Sequence, residues 1–322
     1  MNRKTTHILL ATLISASLTA QAETQPLAVA APAVANIVAA KKFSNPDEAV
    51  KALLEVLVSK DNGQLIALFG NQETELLSSG DTVEDNNNRA EFVALAQKKM
   101  RIEASGEDKA ILHVGSNDWP FPIPIVKKGD NWQFDAEQGS QEILNRRIGR
   151  NELSVVAAMR GYVEAQFEYA NVDRDGDGVS EYAQKLQSEP GKFDGLFWEV
   201  EEGQSQSPLG LLFAQAKAEG YKTREASEEP SPYHGYFYRI LTRQGAAVPG
   251  GKYDYIINGN MIAGFGLVAF PAQYGSSGIM TFAVNHQGKV FQKDLGQKTA
   301  EAVEKLEEYN PDSTWEPFQA PE

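Results

Sequence analysis

The chain has 322 residues and not one cysteine. Disulfide bonds, zinc–thiolate sites and cysteine nucleophiles are therefore excluded. Histidine is almost as rare, with four residues in the whole chain. Three of them, His113, His234 and His286, lie beyond the first 22 residues, and none stands at a metal-ligand spacing from another. Stability must therefore come from apolar packing, and a bound ion could add to it.

Long hydrophobic runs are missing as well. The one extended run, Ile8 to Thr19, has 12 residues, whereas a helix that spans a bilayer needs about 20. It follows two basic residues, Arg3 and Lys4, and precedes Ala20-Gln21-Ala22, a small-x-small sequence of the kind that signal peptidase cleaves. We predict a signal peptide over residues 1–22 rather than a membrane anchor. The mature protein is then periplasmic or secreted and does not span a membrane.

Basic residues are outnumbered, with 30 Lys+Arg against 44 Asp+Glu and a formal charge of −14. Cleavage after residue 22 would remove Arg3 and Lys4 and no acidic residue, which leaves 28 against 44 and a charge of −16. Such a balance argues against nucleic acid and anionic lipid as partners. Acidic loops suit cation binding, although solubility outside the cytoplasm explains the same surplus.

The mature length of about 300 residues exceeds one typical domain and predicts two. Residues 23–42 are rich in Ala, Val and Pro and predict a linker. The pattern then becomes helical. It predicts one helix from near Pro46, a second over Asn62–Phe69 and a third over Arg89–Lys99.

The period next changes from helical to alternating. Residues 110–114 predict a strand, and a second strand from Trp119 to Ile125 carries three prolines on one side, which predicts a place at a sheet edge. A turn at Lys128–Asn131 then closes a hairpin. Helices followed by a curved antiparallel sheet, in a predicted domain of residues 43–139, resemble the cone-shaped fold of the nuclear-transport-factor-2-like superfamily.

The predicted second domain, residues 140–322, begins with a helical pattern that Gly149-Arg150-Asn151 interrupts. We therefore predict a break there, with Asn151 as the cap of a longer helix over Glu152–Tyr169. Further elements are predicted at Pro208–Glu219 (helix), Tyr233–Leu241, Tyr253–Ile257, Ile262–Phe270, Met280–Val284 and Lys289–Leu295 (strands) and Lys298–Glu308 (helix). The strand Ile262–Phe270 is apolar on both faces and is predicted to be central in its sheet. The whole chain is assigned to the α+β class.

Several long motifs lie in this second half and in the predicted edge strand. They are Asp118-Trp119-Pro120-Phe121-Pro122-Ile123-Pro124, Gly191-Lys192-Phe193-Asp194-Gly195-Leu196-Phe197-Trp198, Ser207-Pro208-Leu209-Gly210, Pro232-Tyr233-His234-Gly235-Tyr236-Phe237-Tyr238-Arg239-Ile240-Leu241, Gly278-Ile279-Met280-Thr281-Phe282-Ala283-Val284-Asn285 and Lys293-Asp294-Leu295-Gly296. They resemble the bacterial domain-of-unknown-function family 2950 over most of the mature chain. The resemblance implies an exported bacterial protein and supplies no catalytic residue.

Residues 151–295 are also similar to the globular part of type II secretion pseudopilins, which combine a helix, an acidic glycine-rich loop and a terminal antiparallel sheet. Some pseudopilins bind calcium in such a loop, and the resemblance implies an envelope or secretion-system protein as partner. Pseudopilins use a hydrophobic helix for fibre assembly, whereas the equivalent helix here carries Arg160, Glu164 and Gln166.

An acidic loop, residues 173–181, follows the predicted long helix. Asp173, Asp175 and Asp177 take positions one, three and five of a calcium-binding loop, the Val179 carbonyl position seven and Glu181 position nine. Position twelve is Gln184, where a full EF-hand has a bidentate glutamate, so we predict a structural calcium site rather than a sensor. The alternative is a solvated acidic turn.

Two groups of aromatic residues are candidates for contact with a ligand. The first is His234, Tyr236 and Tyr238, predicted to share one strand face, for which packing against a helix is the alternative. The second is Trp119, Phe121 and Trp132, which would line a cavity in the first domain or fill a dry core. The loop Gly275-Ser276-Ser277-Gly278 is interpreted as a hairpin loop because strand residues, not a helix, follow it.

The sequence thus predicts an exported, non-enzymatic envelope protein that serves as a structural or interaction module with a calcium-stabilised loop. The alternative is a periplasmic small-ligand-binding protein or hydrolase that uses a cavity in the first domain. An open cavity with polar groups among the aromatics would favour the alternative, and a filled core would favour the module.

Overall fold

The computed structural model describes residues 38–59, 61–71, 78–200, 206–222 and 230–319. The predicted signal peptide, residues 1–22, and residues 23–37 of the predicted linker lie outside these ranges. None of the helices within the described ranges is long and apolar enough to cross a membrane.

Helices and antiparallel sheets make up the described residues, which confirms the α+β class. Within the described residues the six helices are α1 (Pro46–Ser59), α2 (Asn62–Phe69), α3 (Thr82–Lys98), α4 (Ala136–Tyr169), α5 (Gly210–Glu219) and α6 (Thr299–Glu304). The strands are β1 (Met100–Ala104), β2 (Lys109–Val114), β3 (Trp119–Pro120), β4 (Ile125–Lys128), β5 (Asn131–Phe134), β6 (Tyr236–Leu241), β7 (Arg243–Gln244), β8 (Tyr253–Asp254), β9 (Ile256–Ile257), β10 (Asn260–Met261), β11 (Gly266–Pro271), β12 (Met280–Asn285), β13 (Phe291–Asp294) and β14 (Glu316–Pro317).

The first sheet has the order β1-β2-β4-β5, and the short strand β3 also pairs with β2. Alternation in β2 buries Ala110, Leu112 and Val114, which meet the buried face of α1 in one apolar core. The proline-bearing segment forms ladder pairs only at Trp119 and Pro120, because the prolines that follow cannot donate hydrogen bonds. The predicted hairpin after it is confirmed, with Lys128 opposite Asn131.

Helix α4 is continuous over 34 residues, so the predicted break at Gly149 is wrong. A glycine inside a helix costs only about 1 kcal/mol relative to alanine. Its neighbours outweigh that cost: Ile148 is buried, and the fully buried Asn151 donates from Nδ2 to the Ser277 carbonyl oxygen at 3.0 Å. Asn151 therefore joins two elements rather than capping a helix. The predicted boundary between residues 139 and 140 falls inside α4.

The second large sheet has the order β14-β13-β12-β11-β6. Strand β11 lies between two neighbours and its residues Leu267 and Val268, which point to opposite faces, are both buried. The predicted central strand is thus confirmed, although it begins at Gly266 rather than at Ile262. Helix α4 covers one face of the sheet, and α6 contacts β11.

Candidate metal loop and candidate ligand cavity

The three loop aspartates are brought together at the end of α4. Side-chain oxygens of Asp173, Asp175 and Asp177 all lie within 4.8 Å of one another, and all three residues are exposed. Asp173 organises the turn, since its Oδ1 accepts the Gly176 N–H at 2.8 Å and its Oδ2 accepts the Gly178 N–H at 2.9 Å. These backbone donors, with that of Gly178 first, hold the pKa of Asp173 below its ordinary value.

The two glycines of the loop are required by its shape. Gly176 and Gly178 have φ angles of 79° and 88°, in the left-handed region where a Cβ atom is strained. The Arg174 guanidinium, the basic group inside the loop, lies over the rings of Tyr169 and Trp198 at 4.9 and 5.0 Å. These cation–π contacts keep the positive charge of Arg174 beside the two aromatic rings.

The loop is fastened to the short hairpin of β9 and β10. The Asn260 side chain donates to Asp177 Oδ2 at 2.7 Å, and the Met261 N–H donates to Glu181 Oε2 at 3.0 Å. The Gln184 side chain donates to the Gly259 carbonyl oxygen at 2.6 Å. Burial raises the pKa of Glu181, and its hydrogen bond from Met261 opposes that shift. Glu181 and Gln184 thus act as anchors to the hairpin.

The donor set of this loop fits a hard cation. Calcium takes six to eight oxygen ligands, and several of them are usually carboxylates. Three aspartate carboxylates and the Val179 carbonyl at position seven would supply part of such a shell, with water as the remainder. The tetrahedral nitrogen and sulfur sets of zinc have no counterpart among these loop residues.

A cavity of about 700 Å³ opens between the first sheet, helices α1 to α3 and the amino-terminal half of α4. Its apolar lining includes Leu53, Leu65, Phe92, Trp119 and Phe121. Its polar lining consists of Asp85, Asn88, Arg89, Glu91, Lys98, Ser116, Asn117, Arg146, Arg147 and Arg150. We call it the arginine-rimmed cavity.

Two of the three aromatic residues predicted to line this cavity do so. The Phe92 ring joins Trp119 and Phe121, with ring centroids 6.3 and 5.1 Å away. Trp132 lies elsewhere: its backbone pairs with Phe43, and its side chain lines a separate depression beside β1. The sequence carried no signal for the arginines, because α4 brings them to the cavity only in the folded chain.

The residues His234, Tyr236 and Tyr238 do not form one pocket face. His234 lies in a turn with φ 48°, because the strand begins only at Tyr236. Its Nε2 is 3.4 Å from Glu219 Oε2, and burial lowers its pKa. Tyr236 is fully buried and donates to the Met280 carbonyl oxygen at 3.0 Å. Tyr238 lines a second cavity, of about 970 Å³, under α5.

A buried acidic cluster at the start of α3 was not predicted from the sequence. Asp81 caps the helix, since its Oδ1 accepts the N–H groups of Val83 and Glu84 at 3.1 and 3.0 Å. Its Oδ2 accepts the Tyr221 hydroxyl at 2.7 Å and the Gly235 N–H at 3.1 Å. The aspartate therefore ties the first half of the chain to the second. Asp81 three residues before Glu84 is a helix-start pattern that could have revealed it.

Glu84 is the unusual member of this cluster. The residue is 7% exposed, and its Oε2 has no hydrogen-bond partner among the described residues. Its Oε1 is 3.8 Å from Arg150 Nη2, which is too long for a hydrogen bond. Burial raises the pKa of Glu84 to about 7, and Arg150 opposes that shift. Such a carboxyl changes charge near neutral pH.

The serine-bearing loop joins two adjacent antiparallel strands, β11 and β12, as a hairpin loop does. The Ser277 hydroxyl donates to the Gln273 carbonyl oxygen at 3.1 Å, and the Ser276 hydroxyl donates to the Ser78 carbonyl oxygen at 3.3 Å. Both serines are buried. Their hydroxyls hold the loop in place.

A family model described as "Protein of unknown function (DUF2950)" matches residues 40–318. The chain belongs to this family, which confirms the family resemblance of its motifs. No curated protein and no solved structure matched the chain. The description of the family assigns no reaction.

Proposed function

We propose that this protein is an exported small-ligand-binding protein, the alternative that an open cavity with polar groups favours, and that it holds its ligand in the arginine-rimmed cavity. The observation that carries the proposal is the open space of about 700 Å³ on which Trp119 and Phe121 converge among polar groups. Small-molecule sites have volumes of about 300 to 1,000 Å³ and combine an apolar lining with a few polar groups. Well-packed cores have few voids larger than a water molecule.

A neutral, environment-sensitive dye tests whether the cavity binds ligands at all. Prodan should bind with a blue-shifted emission and saturate at one dye per chain. Leu57→Trp places a large ring in the cavity and should weaken binding about tenfold. Leu54→Trp is the matched control, because this half-buried leucine of α1 lines a different depression. Equal binding by both variants, or no binding by the wild type, would contradict the proposal.

Export forms part of the proposal and rests on the signal-type sequence of residues 1–22. When the full chain is expressed in a bacterium, the form recovered outside the cytoplasm should begin at Glu23. Intact-mass measurement decides the point. Recovery of only the full-length chain, inside the cytoplasm, would exclude export by this signal.

We also propose that calcium occupies the aspartate loop and stabilises the fold. The support is the convergence of three carboxylates within 4.8 Å and their attachment to the hairpin of β9 and β10. An ion there would connect the end of α4 to that hairpin.

The finer fold resemblances lead to a second proposal, an envelope or secretion-system protein as partner. It is supported by the arrangement of α4 on an antiparallel sheet with an acidic loop at its end, the combination of elements on which the pseudopilin resemblance rests. Affinity capture from a bacterial envelope extract with the mature protein as bait tests it. Recovery of no secretion-system or other envelope protein would contradict this second proposal.

A further inference from the structure

The arginine-rimmed cavity is basic although the protein as a whole is acidic. Among its described lining residues five carry a positive charge and two a negative charge, whereas the chain has a formal charge of −14. Three of the five, Arg146, Arg147 and Arg150, come from one stretch of α4, and Arg89 and Lys98 come from α3. The cavity lining is therefore positively charged, whereas the chain as a whole is negatively charged.

Four acidic groups lie nearby, Asp85, Glu91, Glu142 and Glu84, and they reduce this excess without cancelling it. Asp85 offsets part of the positive charge of Arg147, and its Oδ2 also accepts hydrogen bonds from the Ser78 hydroxyl at 3.1 Å and the Ser79 N–H at 3.0 Å. The other lining carboxylate, Glu91, is exposed to solvent, which screens its charge. Glu84 lies beside Arg150 but is partly protonated near neutral pH, since burial raises its pKa to about 7.

Two arginines at the rim keep donors available for a ligand. The Arg146 guanidinium lies 5.1 Å from the Trp119 ring centroid and donates through Nε to Glu142 at 2.7 Å. Its two terminal nitrogens have no acceptor among the described residues. The side chain of Arg150 is 54% exposed, and its ion pair with Glu84 is 3.8 Å long. A guanidinium fork matches a carboxylate in two parallel hydrogen bonds.

The floor of the cavity is apolar. Leu53 and Leu65 are 1% and 2% exposed, and the rings of Phe92 and Phe121 pack with centroids 5.1 Å apart. Such a floor favours a hydrocarbon or aromatic body, because removing apolar surface from water is favourable. The floor and the rim together select for a molecule with two unlike ends.

We propose that the arginine-rimmed cavity binds an amphiphilic monoanion, with the apolar body on the aromatic floor and a carboxylate head at Arg146 and Arg150. The inference rests on the proposed binding function and adds the class of ligand. Charge complementarity is the argument for the anionic head, and the apolar floor is the argument for the body.

Calorimetric titration with matched probes tests the class of ligand. Decanoate, decanol and decyltrimethylammonium share a chain and differ in head-group charge, and acetate supplies the head without the chain. Decanoate should bind about tenfold more tightly than decanol or the cation, and acetate should show no binding. The preference should weaken as salt is raised, because mobile ions screen the rim.

Variants at the rim assign the preference to residues. The double variant Arg146→Gln/Arg150→Gln should lose the preference for decanoate over decanol. Arg160→Gln, at an exposed position of the same helix, is the control and should keep it. Equal or tighter binding of decanol or of the cation would overturn the anionic class while the binding function stands. If prodan and all decyl probes fail to bind, the binding function fails as well.

Discussion

Glu84→Gln should make the protein markedly more stable at pH 8 and change its stability little at pH 5. The carboxyl is buried beside Asp81 and Asp85, with Oε2 unpartnered among the described residues, so its charged form is disfavoured in the fold. Glutamine resembles the protonated acid in shape and carries no charge. The neighbouring cations Arg147 and Arg150 reduce the penalty on the charged form without removing it.

The sign of the effect follows from proton linkage. The folded-state pKa of Glu84 is raised from 4.5 to about 7, so between these values the folded state binds more protons than the unfolded state. The free energy of unfolding therefore falls as pH rises through this window. A difference of one pKa unit corresponds to about 1.4 kcal/mol, so the side chain, only 8% exposed, lowers stability by about 3 kcal/mol at pH 8.

Urea denaturation at pH 5 and pH 8 measures this dependence. Glu55→Gln, at an exposed position of α1, is the matched control, and its effect should be small at both pH values. The difference between wild type and Glu84→Gln should grow by about 2.5 kcal/mol between the two pH values, because a small part of the penalty is already present at pH 5. If wild type and Glu84→Gln differ in the free energy of unfolding by the same amount at pH 5 and at pH 8, the pKa of Glu84 is not raised in the folded protein.

The acidic cluster was missed because apolar periodicity identifies only helices that present an apolar stripe. The first turns of α3, residues 82–88, contain mainly acidic residues and asparagines, so the helical pattern became visible only at Arg89. The actual start depends on the cap at Asp81 and on contacts with Tyr221 and Gly235, more than 100 residues away in the chain. Periodicity within one segment carries no information about such partners.

Apolar periodicity and turn residues predicted the elements correctly where tertiary packing favours the same local structure. Helix α2 has the predicted bounds, and the β4–β5 hairpin forms at the predicted turn. The pattern failed at Gly149, where burial of the neighbouring residues keeps α4 continuous through a weak helix former. It also failed to place His234, because a left-handed φ in the preceding turn delays the start of β6.

The candidate metal loop and the arginine-rimmed cavity also differ in how far the sequence could predict them. The aspartate spacing is local, so the convergence of Asp173, Asp175 and Asp177 could be predicted from the sequence alone. The arginine-rimmed cavity combines residues from α1 to α4 and the first sheet. Its aromatic lining was partly predicted from one strand, whereas its charge depends on how α4 crosses the sheet.

Calcium should raise the free energy of unfolding of the wild-type protein by about 2.7 kcal/mol when the free ion is 100 times its Kd. The reason is that the ion binds the folded loop, where three carboxylates converge, and the unfolded chain has no such arrangement. For a protein of this size a shift of several degrees in Tm follows. Thermal unfolding in EDTA and in millimolar CaCl₂ measures the effect.

Asp175→Asn separates ion binding from the hydrogen bonds of the loop. Asp175 accepts one weak bond, from the Asp177 N–H at 3.3 Å, whereas Asp173 holds two loop glycines. In EDTA the variant should be at least as stable as the wild type, because one of three mutually repelling charges is gone. In calcium it should be less stable, because the ion has lost a ligand. An ion site requires this change in the order of stability between EDTA and calcium.

Asp130→Asn, at an exposed turn of the β4–β5 hairpin, controls for the general effect of removing one negative charge. It should respond to calcium as the wild type does. If calcium stabilises Asp175→Asn as much as the wild type, the ion acts by screening the acidic surface, and if it stabilises neither, the loop is a solvated turn. Magnesium at the same concentration should stabilise less, because it demands a tighter octahedral shell than three exposed aspartates on a loop provide.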